Sequence, residues 1–206
     1  MNDQSEQERW NARYADDSYL FGTSPNAFLA SQRHLLASGQ RALAVADGEG
    51  RNGVWLAEQR LHVTAVDFSP AALAKARRLA ESRGVEVSFV QADLATWEWK
   101  ESSFDVVAAI FIQFADPPLR EAIFQGIRRT LAPGGLLLLQ GYRPEQIQYG
   151  TGGPPHAENM YTAAMLREAF RGFEMVSLVE HDSVIQEGAG HHGVSALVDL
   201  VARKRA

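Results

Sequence analysis

The sequence predicts an α/β fold: a doubly wound, seven-stranded and mostly parallel sheet with helices on both faces, finished by a C-terminal antiparallel hairpin. Three observations predict it. Apolar runs of strand length alternate with segments of helical periodicity along most of the 206 residues. The stretch Ala44-Val45-Ala46-Asp47-Gly48-Glu49-Gly50-Arg51-Asn52-Gly53, followed by Val63–Asp67, reads as one strand–turn–helix–strand unit. Two late apolar runs, Phe173–His181 and Gly193–Val201, have no helical segment between them and are expected to pair as a hairpin.

Each element has a local reason. Ser24-Pro25 reads as an N-cap and first-turn proline for an N-terminal helix that buries Phe28, Leu29, Leu35 and Leu36. Arg41–Ala46 is the first strand, Asn52–Gln59 a crossover helix and Leu61–Val66 the second strand. Ser69-Pro70 repeats the cap signal for a helix that ends near Gly84, with Leu73, Ala76 and Ala80 spaced for burial. Glu86–Gln91 is the third strand, and Thr96–Ser103, which carries two tryptophans, a loop across the sheet edge. Phe104–Phe111 is continuously apolar, as expected of a strand in the middle of a parallel sheet. Asp116-Pro117 caps a helix along which Leu119, Ile123, Ile127 and Leu131 recur every four residues, and Leu136–Gly141 follows as the fifth strand. Arg143–Asn159 is a long Gly- and Pro-rich loop, and Thr162–Phe170 a last helix.

Composition bounds the function. There is no cysteine, which excludes disulfides, thiolate metal sites and cysteine nucleophiles. His181, His191 and His192 do not make a zinc spacing, so no metal is expected; His191, His192 and the loop residue His156 could each reach the pocket mouth and are read as bystanders. The formal net charge of −5 argues against a nucleic-acid partner. A polar amino terminus and the lack of a long apolar run predict a cytoplasmic chain without a membrane partner. The expected organisation is one domain over residues 1–206, with an N-terminal helical lid (1–40) and a core (41–206), as a monomer or homodimer.

The glycine turn points to a nucleoside cofactor. Glycines let the backbone bend and approach a ligand closely, and the helix that opens there presents free N–H groups and a partial positive charge. Asp67, 19 positions after Gly48, stands where a carboxylate accepts hydrogen bonds from both ribose hydroxyls. Gly48-x-Gly50-x-x-Gly53 also matches the dinucleotide fingerprint, so an NAD(P)-dependent oxidoreductase is one reading. Asp93, in Gln91-Ala92-Asp93-Leu94 after the third strand, supplies a second carboxylate for an adenine amino group. Leu131-Ala-Pro-Gly-Gly135 before the fifth strand, and a length that leaves little room for a substrate domain, point away from a dehydrogenase.

With these features the chain resembles the class I S-adenosylmethionine-dependent methyltransferases, whose Rossmann-like fold would cover nearly all of it. Gly48-Glu-Gly-Arg-Asn52, Val54-Trp-Leu-Ala57 and Val63-Thr-Ala-Val-Asp-Phe-Ser69 look like the tellurite-resistance group, neighbours of the thiopurine methyltransferases. So do Trp10-Asn-Ala-Arg-Tyr14, Phe21-Gly-Thr-Ser-Pro-Asn-Ala-Phe28 and Gln148-Tyr-Gly-Thr-Gly-Gly-Pro154. Ala44 and Ala46 depart from the family's acidic residue and first glycine, which keeps a non-catalytic S-adenosylmethionine-binding regulator in view.

The resemblance implies transfer of a methyl group from S-adenosylmethionine to a small molecule, a thiol or a metalloid such as tellurite or selenite, leaving S-adenosylhomocysteine. The cofactor site would comprise Ala46, Asp47, Gly48, Glu49, Gly50 and Arg51 of the turn, Asp67, Phe68 and Ser69 after the second strand, and Ala92, Asp93 and Leu94 after the third. Arg51 is expected on the methionine carboxylate. Phe68 and Leu94 are expected against the adenine face, and Phe111 beside the sulfonium. Gln113 is expected to touch the cofactor or position the substrate. Tyr14 and Tyr19 of the aromatic lid would offer hydroxyls to cofactor or substrate, and Tyr149 a wall of the substrate cavity. Gln113, Tyr149 and Tyr19 are the candidate catalytic groups.

Overall fold

In the computed structural model, which describes residues 6–206, a seven-stranded sheet has the order β3-β2-β1-β4-β5-β7-β6. Helix α1 (Glu6–Arg13) and the short α2 (Ala27–Ser31) precede β1 (Arg41–Val45), α3 (Arg51–Glu58), β2 (His62–Asp67) and α4 (Pro70–Arg83). Then come β3 (Ser88–Gln91), β4 (Phe104–Ile110), α5 (Pro117–Thr130), β5 (Leu131–Tyr142), α6 (Gln146–Tyr149) and α7 (Ala163–Ala169). The chain ends in β6 (Phe173–Glu187) and β7 (His191–Lys204). Strands β1 to β5 pair in parallel, whereas β7 pairs antiparallel with both β5 and β6.

Burial on both faces explains the apolar central strands. Along β4, Val106, Ala108 and Ile110 pack on one side with Leu56 of α3 and Phe28 of α2. Val107 and Ala109 face the other side, against Ile123 and Ile127 of α5 and Leu166 of α7. Strand residues buried alternately toward two helical layers are what a parallel sheet requires.

The caps follow the sequence at two of three helix starts. Ser69 accepts from the Ala72 amide at 3.1 Å, and Gly84 ends α4 in a left-handed conformation (φ 65°). Asp116 accepts from Leu119 N at 3.0 Å. The N-terminal helix is capped by Asn26 rather than Ser24, its Oδ1 accepting from Leu29 N at 2.9 Å, so Pro25 lies ahead of the cap. A 3₁₀ turn (Gln32–Leu35) then continues it.

Other boundaries move for physical reasons. Strand β5 begins at Leu131, through a register shift against β4, because the Pro133-Gly134-Gly135 segment bulges and still extends the ladder. Both hairpin strands run longer than expected, since cross-strand pairing continues to Glu187 opposite His191. The 143–159 loop contains α6 and a 3₁₀ turn at Ala157–Asn159. The tryptophan loop does not skirt the sheet edge: Trp97 and Trp99 pack on the α5 side of the core, Trp99 against Gly126.

Gly126 is mid-helix, where alanine would ordinarily stabilise by up to about 1 kcal/mol. A Cβ there would fall within the Trp99 ring. Gly126→Ala is therefore expected to destabilise by about 1–3 kcal/mol in denaturant titration. A net gain would show that Trp99 does not occupy that helix face.

Candidate cofactor and acceptor site

Strand order reverses between β1 and β4, and in open α/β sheets ligands bind beyond the strand carboxyl ends at that switch. Both strands end there in strained backbone: Ala46 has φ 48° and Phe111 φ 54°. Non-glycine residues in the left-handed region cost energy and cluster at functional sites. Gly48 (φ 56°) and Gly50 (φ 88°) complete the turn. A Cβ on Gly50 would approach Ala76 Cβ to 2.6 Å, so that glycine lets α3 pack closely on α4.

Buried carboxylates brace the turn. Asp67, at the end of β2, accepts from Gly48 N at 2.8 Å and from Ser69 N at 2.9 Å. Burial raises its pKa, and those two amides oppose the rise. Asp47 turns under the start of α3 and accepts from Gly53 N at 3.0 Å. Burial pushes its pKa up to about 7, with the Gly53 amide and Arg51 opposing the shift and Asp67 adding to it. Glu49 forms a buried ion pair with Lys75 at 2.5 Å. Lys75 also donates to the Asp16 and Ser18 carbonyls, tying the segment after α1 to the turn.

A cavity of about 550 Å³ lies over this turn. Its floor is Ala46, Asp47, Gly48, Arg51 and Asp67; Phe68 and Phe114 border one end, their rings parallel within 15° and 6.2 Å apart. Phe21, Phe111, Tyr142 and His191 line another part. Helix α1 and the residue after it form the roof: Tyr14 stacks on Trp10 at 5.5 Å and sets its hydroxyl above Gly48. Gln7 Nε2 donates to Phe68 O at 2.7 Å, and Ser69 Oγ to Asn11 Oδ1 at 2.6 Å, fastening the roof to the β2–α4 loop. A wider depression of about 940 Å³ lies at the strand starts, around Arg41, His62 and Phe89, away from the switch point.

The expected residues separate into two groups. Ala46, Asp47, Gly48, Arg51, Asp67, Phe68, Phe111, Gln113 and Tyr14 border the cavity. Gln113 is fully engaged with the main chain of Tyr142, donating to its carbonyl at 2.8 Å and accepting from its amide at 2.6 Å. Glu49, Gly50 and Ser69 stand behind the wall, in the ion pair, helix contact and cap already described. Asp93 is exposed and accepts from Ala95 N at 2.9 Å, Leu94 joins the α5-side core and Ala92 packs beside it. Tyr19 donates to Lys75 O at 3.0 Å and Tyr149 to Asp182 at 2.9 Å, which turns both hydroxyls away from the cavity walls.

Sequence pattern passed over Tyr142 and Glu187, and read His191 as a bystander within reach of the pocket mouth. The His191 ring lies between Phe21 and Phe111, 4.5 and 4.3 Å between centroids, with Nδ1 2.6 Å from the Tyr142 hydroxyl. Burial, with Arg51 and Arg13 nearby, lowers its pKa to about 3, so it stays neutral. An imidazole before an apolar strand carries no sequence signal that separates this setting from a solvated turn.

Arg51 is buried, Nη2 paired with Glu187 at 2.7 Å, and its Nη1 is a buried donor without a hydrogen-bond partner at the cavity. A carboxylate-bearing nucleoside fits this set: acid for the ribose, aromatic rings for the base and a free guanidinium donor for the carboxylate. Residues 42–135 match the family described as Methyltransferase domain. Those residues, a little under half of the chain, are thus similar to the class I S-adenosylmethionine-dependent methyltransferases. Demethylmenaquinone methyltransferase of Thermus thermophilus is 38% identical to this chain over 109 residues, 51% of the chain and 48% of that relative. The chain thus spans about half the length of that relative. A probable thiol methyltransferase 2 of Arabidopsis thaliana is 28% identical over 74% of the chain and 68% of its own length. The crystal structure of TehB from Haemophilus influenzae shares the fold, with a TM-score of 0.72 at 15% identity, covering 97% of this chain and 67% of that one. Among the described residues no helix is long and apolar enough to cross a membrane, and no cluster of metal-ligating groups occurs.

Asp47 gives a pH test. A carboxyl with a folded pKa above its unfolded one favours folding fully below its ordinary 3.8 and loses that contribution as pH rises through about 7. Asn in its place still accepts from Gly53 N but carries no titrating charge. Thermal melts from pH 5 to 9 should show Asp47→Asn gaining on the parent as pH rises. A constant offset would contradict the raised pKa.

Proposed function

We propose that this chain moves a methyl group from S-adenosylmethionine to a small-molecule acceptor, a thiol or metalloid species. The observation that carries the reading is the unpaired, buried Nη1 of Arg51 at a cavity that also presents Asp67. Arg51 would hold the methionine carboxylate, Asp67 the ribose hydroxyls, and Phe68 with Phe114 the adenine. When bound, the cofactor supplies the electrophilic methyl of a sulfonium.

The chain's own contribution is alignment and exclusion of water. Trp10, Tyr14 and Phe21 cover the cavity, and Phe111 offers a ring face to a cationic sulfur, worth about 0.5–2 kcal/mol in a dry site. Holding nucleophile and methyl in line supplies most of the rate. His191 is a poor proton acceptor with a pKa near 3. A soft nucleophile that needs no strong base suits such a wall better than an alcohol or amine. The thiol methyltransferase likeness supports the same class. We propose a cytoplasmic single-domain enzyme, with no nucleic-acid partner, acting as a monomer or homodimer.

Labelled-methyl transfer across thiols, selenite, tellurite and phenols tests the reaction. Transfer to a thiol or metalloid is expected. Tight cofactor binding without transfer to any acceptor would favour the regulator, and binding of NAD alone the oxidoreductase. Asp67→Ala should weaken S-adenosylhomocysteine binding by at least about tenfold in calorimetry. Unchanged affinity would remove Asp67 from the site.

A further inference from the structure

The tip between β6 and β7 reaches into the cofactor cavity and ends on the arginine that faces it. Glu187, the last residue of β6, has a side chain 10% exposed; Arg51, the first residue of α3, has one 7% exposed. Glu187 Oε2 lies 2.7 Å from Arg51 Nη2. Its Oε1 accepts from Asn26 Nδ2 and from Ala27 N, each at 3.0 Å. The tip itself is clasped: Gly190 N donates to Leu20 O at 3.1 Å, and a Cβ on Gly188 (φ 68°) would come within 2.6 Å of Gly22 N. Glu187 is therefore fixed by two other segments before it meets Arg51.

Arg51 has reasons not to stay where it is. A cation at a helix start opposes the helix dipole, and its long side chain has many rotamers to lose. Glu187 offsets both by a charge-assisted contact on one edge of the guanidinium. The other edge keeps Nη1 buried, beside the cavity and without a hydrogen-bond partner. A planar fork held on one side presents a fixed donor for a carboxylate on the other.

We propose that Glu187 is a positioning residue for cofactor recognition: it orients Arg51 so that Nη1 meets the carboxylate of the cofactor's amino acid end. The assignment rests on S-adenosylmethionine being the ligand of this cavity. It makes the hairpin tip, with the N-terminal segment that clasps it, part of the cofactor site, and selective for nucleosides that carry an acid group.

Calorimetry on the full chain with two thioethers tests it. S-adenosylhomocysteine carries the amino acid end, and 5′-methylthioadenosine lacks it. Glu187→Gln keeps an oxygen for Asn26 and Ala27 but removes the charge. S-adenosylhomocysteine affinity should fall about tenfold in that variant, with 5′-methylthioadenosine affinity changed by less than about twofold. Arg51→Lys should show the same ligand selectivity, and the double variant should lose little more than either single one. Equal losses for both ligands would make Glu187 merely structural and overturn the proposal. Unchanged or tighter S-adenosylhomocysteine binding would overturn it too, as would additive losses in the double variant. A parent chain that binds neither thioether would overturn the cofactor assignment itself, separately from any effect of Glu187.

Discussion

The site depends on one buried carboxylate. Asp67 takes the Gly48 amide in one direction and the Ser69 amide in the other, so the turn after β1 and the cap of α4 share an acceptor. Leaving a buried backbone amide unpaired costs about 1–3 kcal/mol, so the turn holds its shape only while that group is present. The strain at Ala46 and Phe111 persists because such contacts over-determine the neighbouring backbone. A ribose would meet a carboxylate whose orientation the fold has already set, which saves the entropy of arranging it.

Two elements far from the glycine turn in sequence complete the cavity. Helix α1 is anchored to the β2–α4 loop, and the segment after it to Lys75 and Glu49, so the roof is held by hydrogen bonds and a buried ion pair besides its aromatic contacts. The hairpin delivers Glu187 and His191 from the other side. Both reach the site because the antiparallel register runs on to the Glu187–His191 pair. The end of the cavity around His191 is thus built by the parts of the chain outside the parallel core, where proteins on one fold differ in chemistry.

The parallel core was legible because its signals are local. Apolar runs, glycine spacing and Ser or Asp caps act within a few residues, so strands β1 to β4 and helices α3 to α5 lie within two residues of their expected bounds. Asp67 was legible for the same reason, through its distance from the glycines, and Arg51 through its place in the turn itself; both border the cavity. Glu187 was not, since nothing near residue 187 announces a partner at residue 51; only the hairpin register joins them. Tyr19 and Tyr149 were expected at the lid and the cavity wall, and Asp93 by its position after the third strand; the two hydroxyls and one Asp93 oxygen have partners within the protein, which only the folded chain shows. Ala46 adopts the glycine-like conformation of the turn despite its Cβ, a departure that composition alone could only register as a missing glycine.

The most direct measurement is a crystal structure of the chain with S-adenosylhomocysteine. The ribose hydroxyls are expected on Asp67, the amino acid carboxylate on Arg51 Nη1 with Glu187 still on Nη2, and the sulfur directed toward Phe111 and His191. Electron density for the nucleoside away from the β1–β4 switch point, or a carboxylate that leaves Arg51 unengaged, would contradict that placement.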